Sequence, residues 1–179
     1  MISSRVKSLF LVSKIFVQKL VDTGHGYWKG IPTLKRSRIA ANLFLGSQYN
    51  LIGLEKLKAL GVTAIVNMRT HDVYGEAAHE GIRYLHLSTE DNRAPSLANL
   101  ITGADFVDNE IRSGGKVYIH CRQGLGRGPT MAIAYLLKAG ATFEDAFHLV
   151  KKVRPFINPR PSQIARLKEL EAYYTAVKQ

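Results

Sequence analysis

Thiols are nearly absent from this 179-residue chain: Cys121 is its single cysteine. An intrachain disulfide is therefore excluded and no thiolate cluster can hold zinc, which suits a reducing, cytoplasmic setting. The six histidines are scattered, with no pair at a metal-ligand spacing such as His-x-x-x-His, so neither a metal nor another cofactor is expected. No apolar run approaches the ~20 residues of a membrane-spanning helix, because Lys14 breaks the one near the N-terminus. Nor does an uninterrupted apolar segment lead to a small-residue cleavage site, as a secretory signal requires. Internal repeats and low-complexity tracts are missing. Acids are scarce at one end: residues 1–38 carry eight Lys/Arg against Asp22 alone, a balance of +7 within the chain's +11. No nucleic-acid motif accompanies that charge, and the basic residues are not interleaved with aromatics on one element, so a nucleic-acid partner is not expected.

What is present suits one domain with a full core, given the length and 46% hydrophobic content. In residues 2–21, Ile2, Val6, Leu9, Phe16, Val17 and Leu20 share one broad helical face, with Lys7, Lys14 and Gln18 opposite. Three readings stay open for this segment. It is a basic amphipathic helix lying peripherally on an anionic membrane, an acid-poor organelle-targeting presequence, or a helix packed on the domain. His25 to Pro32 reads as a linker, with Gly and Pro as breakers. Residues 1–35 thus form an N-terminal segment ahead of a domain spanning 36–179.

That domain alternates strands and helices. Strands are expected at 43–45, 62–67, 82–87 and 117–119, and helices at 51–60, 96–113, 129–137, 142–153 and 161–176, with a polar loop over 69–81 holding at most a short helix. The pattern is α/β, with a central, mostly parallel sheet covered by helices on both faces. Ligands of such sheets bind beyond the carboxyl ends of the strands.

The densest chemistry lies in Lys116–Leu137, KVYIHCRQGLGRGPTMAIAYLL. A short β-favouring run leads into Cys121-Arg-Gln-Gly-Leu-Gly-Arg127, and an amphipathic helix with Pro129 in its first turn follows. Gly124 and Gly126 let the loop amides of residues 122–126 point inward, making an anion nest at the positive end of that helix. Those amides, the helix terminus and Arg127 all favour the thiolate form of Cys121. Arg127 closes the ring and can hold two phosphoryl oxygens with its planar fork. A nucleophile and a phosphate cradle are offered together. A buried, inert thiol is the alternative fate of a lone Cys.

The His-Cys-x5-Arg pattern resembles the signature loop of the cysteine-based tyrosine and dual-specificity phosphatases. IAANLFLGS near residue 40, EDNRAPS before the central helix, and VRPFINPRPSQIARL near the end extend the resemblance over residues 36–175, in the manner of the compact dual-specificity type. The resemblance implies a phosphomonoester hydrolase with a shallow site. Cys121 is then the nucleophile, and Arg122, Gln123, Gly124, Leu125, Gly126 and Arg127 bind the phosphate. Asp91, in the loop thirty residues upstream, is the general acid, with Glu90 as alternative. His120 orders the loop. Asp72, Asp105 and Asp108 are expected to be solvated surface charges; Arg154 and Arg160 are candidates for approach to the site. The substrate is a phosphoprotein or a phospholipid. Similarity to the mitochondrial phosphatidylglycerophosphate phosphatase branch, together with the N-terminal helix, leans toward lipid.

One residue departs from the family pattern. Gly128 follows the signature Arg, where Ser or Thr is usual. Plant glucan phosphatases resemble this chain in that respect, although no carbohydrate-binding module is recognisable here. The departure keeps a second class of function open, a pseudophosphatase that binds phosphorylated partners without turning them over.

Overall fold

The computed structural model describes residues 4–177. Four short strands, β1 (Leu43–Gly46), β2 (Ala64–Asn67), β3 (Arg83–His86) and β4 (Val117–His120), form a parallel sheet in the order β1-β4-β2-β3. Alternation along each strand sorts the side chains to two faces. Leu43, Leu45, Ala64, Val66, Val117 and Ile119 face a large core, while Phe44, Ile65 and Tyr118 face a smaller one. The large core is closed by α3 (Leu97–Arg112), α4 (Arg127–Lys138), α5 (Phe143–Val153) and α6 (Pro161–Val177), and the smaller by α2 (Leu51–Ala59). Both faces are covered, as the α/β pattern predicts, and all four strands run parallel.

Local signals place the helix ends. Asn50, Ser96 and Thr142 cap α2, α3 and α5, each side chain accepting a hydrogen bond from a first-turn amide. Val62, expected in a strand, instead returns its amide to Leu57 O and closes α2, so β2 starts two residues later. The 69–81 loop contains one 3-10 turn, Glu76–His79. Register brings the carboxyl ends of β1, β4 and β2 level, with Gly46 and Asn67 both opposite His120. Everything that follows these strands opens on one edge of the sheet.

The N-terminal segment differs from expectation. Residues 2 and 3 of the expected helix lie outside the described residues, and α1 (Ser4–Lys29) continues into the stretch read as a linker, taking in His25 to Lys29. Glycines at 24 and 26 each weaken a helix by about 1 kcal/mol relative to alanine, an amount that tertiary contacts readily exceed. Those contacts are present. Asp22 is buried against Arg154 at 3.2 Å, and His25 Nδ1 meets Ile31 O at 2.8 Å. The break comes at Gly30, whose φ of +83° ends the helix. The first half of α1 is different. Phe10, Leu11, Val12, Phe16, Val17 and Leu20 are all more than half exposed, so that apolar face is not packed on the domain. No helix among the described residues is long and apolar enough to cross a membrane.

Candidate active site

Cys121 follows β4 directly and sits, 3% exposed, at the floor of a pocket of about 170 Å³. The loop wraps over its sulfur, and the Gly124 amide donates to Cys121 Sγ at 3.3 Å. Gly124 holds φ +69°, and a Cβ there would stand 2.6 Å from Gly46 O, so no other residue fits. The second loop glycine works differently. Gly126 has a negative φ, and its reason is space, since a Cβ would come within 3.0 Å of Gln163 Oε1.

Arg127 opens α4 and is buried. Its Nη1 donates to Thr89 O at 2.8 Å and its Nη2 meets Asp91 Oδ1 at 2.8 Å, tying the loop after β3 to the signature loop. Its Nε is buried without any hydrogen-bond partner among the described residues. A buried unpaired donor on a guanidinium is costly, and an oxyanion at the pocket floor would satisfy it. The Asp91 side chain is 65% exposed and Arg127 only 5%. Only the carboxylate side of this pair is solvated, so Asp91 can swing into water while a doubly charged phosphoryl group takes its place on the buried guanidinium.

Cys121, Arg127 and Asp91 are thus brought together, and Arg122, Gln123, Leu125 and Gly126 also line the pocket. Glu90 turns aside to Arg93 at 3.9 Å, with both side chains 78% exposed. Asp105 pairs with Lys138 and Asp108 with Arg112, away from the pocket, while Asp72 accepts a hydrogen bond from its neighbour's amide, Val73 N. Arg160 reaches the rim, where its Nε donates to Asn92 Oδ1 at 2.9 Å. Arg154 lies beneath the loop, fully buried.

Three residues at the rim were not singled out from sequence. Asn92, the only non-glycine residue with positive φ among the described residues, positions Arg160; Gln163 bonds Arg160 N and Arg93 O; Asn158 N donates to Leu125 O at 2.7 Å. The available signal was the Asn-Pro and Gln of the VRPFINPRPSQ stretch, which spacing alone does not bring to the loop.

His120 Nδ1 lies 3.3 Å from Cys121 O, close enough to donate to it, and its Nε2 is buried without a partner among the described residues. Burial pushes the imidazole from 6.5 down to about 3, so the ring is neutral and packs edge-on against Tyr49. Its contact is with the backbone of the loop. Thr130 Oγ1 is spent on Gly126 O at 2.9 Å, so it offers no hydroxyl to the sulfur in place of the one that Gly128 lacks.

A buried thiol that accepts from a loop amide at the carboxyl edge of a parallel sheet, with a buried arginine at the end of the loop and a carboxylate on that arginine, is the arrangement of the cysteine-dependent phosphatases. Residues 43–173 match the family "Dual specificity phosphatase, catalytic domain", and the chain belongs to that family. Human dual specificity protein phosphatase 1 is 32% identical over 136 residues, which are 75% of this chain and 36% of that protein. The matched region is thus about a third of such relatives. Among solved structures, PTPMT1 superposes with a TM-score of 0.74 at 30% identity, covering 79% of this chain and 97% of that one. Human DUSP28 gives 0.72 at 29% identity, covering 79% and 99%.

Proposed function

We propose that this protein hydrolyses phosphomonoesters through a phosphocysteine intermediate. The observation that carries the reading is the unpartnered Arg127 Nε beside Cys121, a built oxyanion site with its nucleophile at the floor. Cys121 Sγ attacks phosphorus, forming the S–P bond as the ester P–O bond breaks. Arg127 and the loop amides hold the equatorial oxygens. Displaced from Arg127 by the phosphoryl group, Asp91 takes up a proton from solvent and gives it to the departing oxygen. It then takes one from the water that releases phosphate and restores the thiolate. Purified protein should hydrolyse an aryl phosphate without added metal, and Cys121→Ser should abolish turnover while still binding vanadate. Full activity in Cys121→Ser would overturn the mechanism.

Substrates on this reading are phosphoproteins or phospholipid head groups. Lipid is favoured by a specific feature. A second cleft of about 630 Å³, walled by Lys19 and Tyr27 of α1, shares Arg122, Gln123 and Leu125 with the phosphate pocket. The exposed apolar residues of the same helix, flanked by Lys14, Lys19 and Lys29, suit an anionic lipid surface. One solved structure of PTPMT1, similar at a TM-score of 0.74, is a complex with PI(5)P. A panel of lipid phosphomonoesters in vesicles against phosphopeptides decides the preference; faster turnover of the peptides would exclude lipid as the better class.

A further inference from the structure

Arg154 is among the most deeply buried side chains, 1% exposed, and does not itself line the pocket. Its guanidinium lies under the signature loop, with Nε 3.4 Å from Gly124 O and Nη2 3.5 Å from Gln123 O. Its Nη1 donates to Arg36 O at 2.8 Å and pairs with Asp22 Oδ2 at 3.2 Å. Asp22 comes from α1, is itself 4% exposed, and receives both the amide and the hydroxyl of Thr33 on Oδ1, each at 3.3 Å.

The peptide plane gives this cluster its consequence. In a trans peptide, C=O and N–H point in opposite directions. When the carbonyls of Gln123 and Gly124 turn down to Arg154, the amides of Gly124 and Leu125 turn to the opposite side, and the Gly124 amide is found on Cys121 Sγ. The two bonds to these carbonyls are long and individually weak. They act only while the guanidinium stays in place, and its short contacts are with Arg36 O and Asp22. A buried guanidinium without a counter-charge would draw in water or shift toward other acceptors.

We infer that Asp22 is a positioning residue for the phosphate cradle: through Arg154, α1 sets the orientation of the signature-loop amides. The N-terminal helix is then part of the active centre. The inference rests on the oxyanion reading of the loop and extends it to residues about a hundred positions upstream.

The test uses the full chain carrying Asp22→Asn, with Thr33→Val as a milder change that loosens Asp22 but keeps its charge. Inhibition by orthovanadate and kcat/KM for aryl phosphates are measured across leaving groups of different basicity. Asp22→Asn should weaken vanadate binding and lower kcat/KM about tenfold, as small misplacements of binding groups do. Thr33→Val should shift both in the same direction by about two- to threefold. The dependence on leaving group, which reports Asp91, should not change. If Asp22→Asn fails to fold, as judged by circular dichroism, Thr33→Val decides by the same criterion. Vanadate binding and kcat/KM that stay at parental values, however far the melting temperature falls, would overturn the inference. A parent protein that binds no vanadate would instead overturn the cradle reading on which it rests.

Discussion

Gly128 is the residue at which this site departs from its family, and the structure gives the departure dimensions. A Cβ at 128 would lie 3.6 Å from Cys121 Sγ and 3.1 Å from Leu45 Cδ1, so a serine fits if that methyl gives by a few tenths of an ångström. Its hydroxyl would then stand beside the sulfur. A hydrogen bond to a charged leaving thiolate contributes roughly 1.5–3 kcal/mol, about one to two powers of ten in rate. Thr130 is committed elsewhere, so release of phosphate from the phosphocysteine should be slow relative to its formation. The parent is expected to show a pre-steady-state burst with a good leaving group. Gly128→Ser should raise the steady-state rate and leave the burst rate nearly unchanged. Absence of both effects would mean that another group supplies the missing bond. Asp91 is tested beside it. Asp91→Asn should slow substrates with basic leaving groups far more than those with acidic ones, because proton donation matters most when the departing oxygen holds its charge poorly. Equal losses on both would remove Asp91 from that role.

Among the elements, α1 carries the widest gap between sequence pattern and packing. Its glycines read as breakers because propensity is a local quantity, whereas Asp22 and His25 hold the helix through contacts with Arg154 and Ile31. The strand and helix flanking the signature loop were legible for the opposite reason. Val117–His120 and Arg127–Lys138 are buried along nearly their whole length, so every side chain votes for the same arrangement. The exposed half of α1 supports a prediction of its own. Phe16→Glu and Leu20→Glu should each weaken sedimentation with anionic vesicles about tenfold or more, since burying one such side chain contributes roughly 1.5–3 kcal/mol. Added salt should weaken binding of the parent, and turnover of a soluble aryl phosphate should stay the same. A parent that ignores anionic vesicles at low salt would exclude the membrane reading.

For the whole molecule, buried histidines tie folding to pH. Burial lowers His120 from 6.5 to about 3 and also lowers His79, whose Nε2 lies 2.6 Å from the Tyr49 hydroxyl. Unfolding returns both to ordinary values, so between pH 6.5 and about 3 the unfolded state binds more protons than the native one. The stabilisation is complete above that window and is lost as pH falls through it. Asp72, held below its usual 3.8 by a hydrogen bond with Tyr84, adds to the loss only at lower pH. Chemical denaturation from pH 7 to 4 should therefore show a steady decline, with His120 contributing on the order of 3 kcal/mol by pH 4. His120→Asn should remove most of that decline and leave the share of His79. A parent whose stability is flat across the range would contradict the burial of a neutral His120.

The signature loop and the alternation of strands and helices, which implies a mostly parallel sheet, are legible in the sequence because they rest on residues close together in the chain. Cys121, Gly124 and Arg127 fall within seven positions, and the helix caps lie within three residues of the amides they serve. Tertiary structure alone decided how the loop is held. Arg127 is anchored on Thr89 O, Arg154 spans Gly124, Arg36 and Asp22, and Arg160 meets Asn92. These partners are separated by 30 to 132 positions along the chain. Such contacts leave no periodic trace in composition or spacing, since a buried ion pair or a bond to a backbone carbonyl needs only one residue of suitable chemistry at each end. Which distant residue supplies it is settled when the helices close over the sheet.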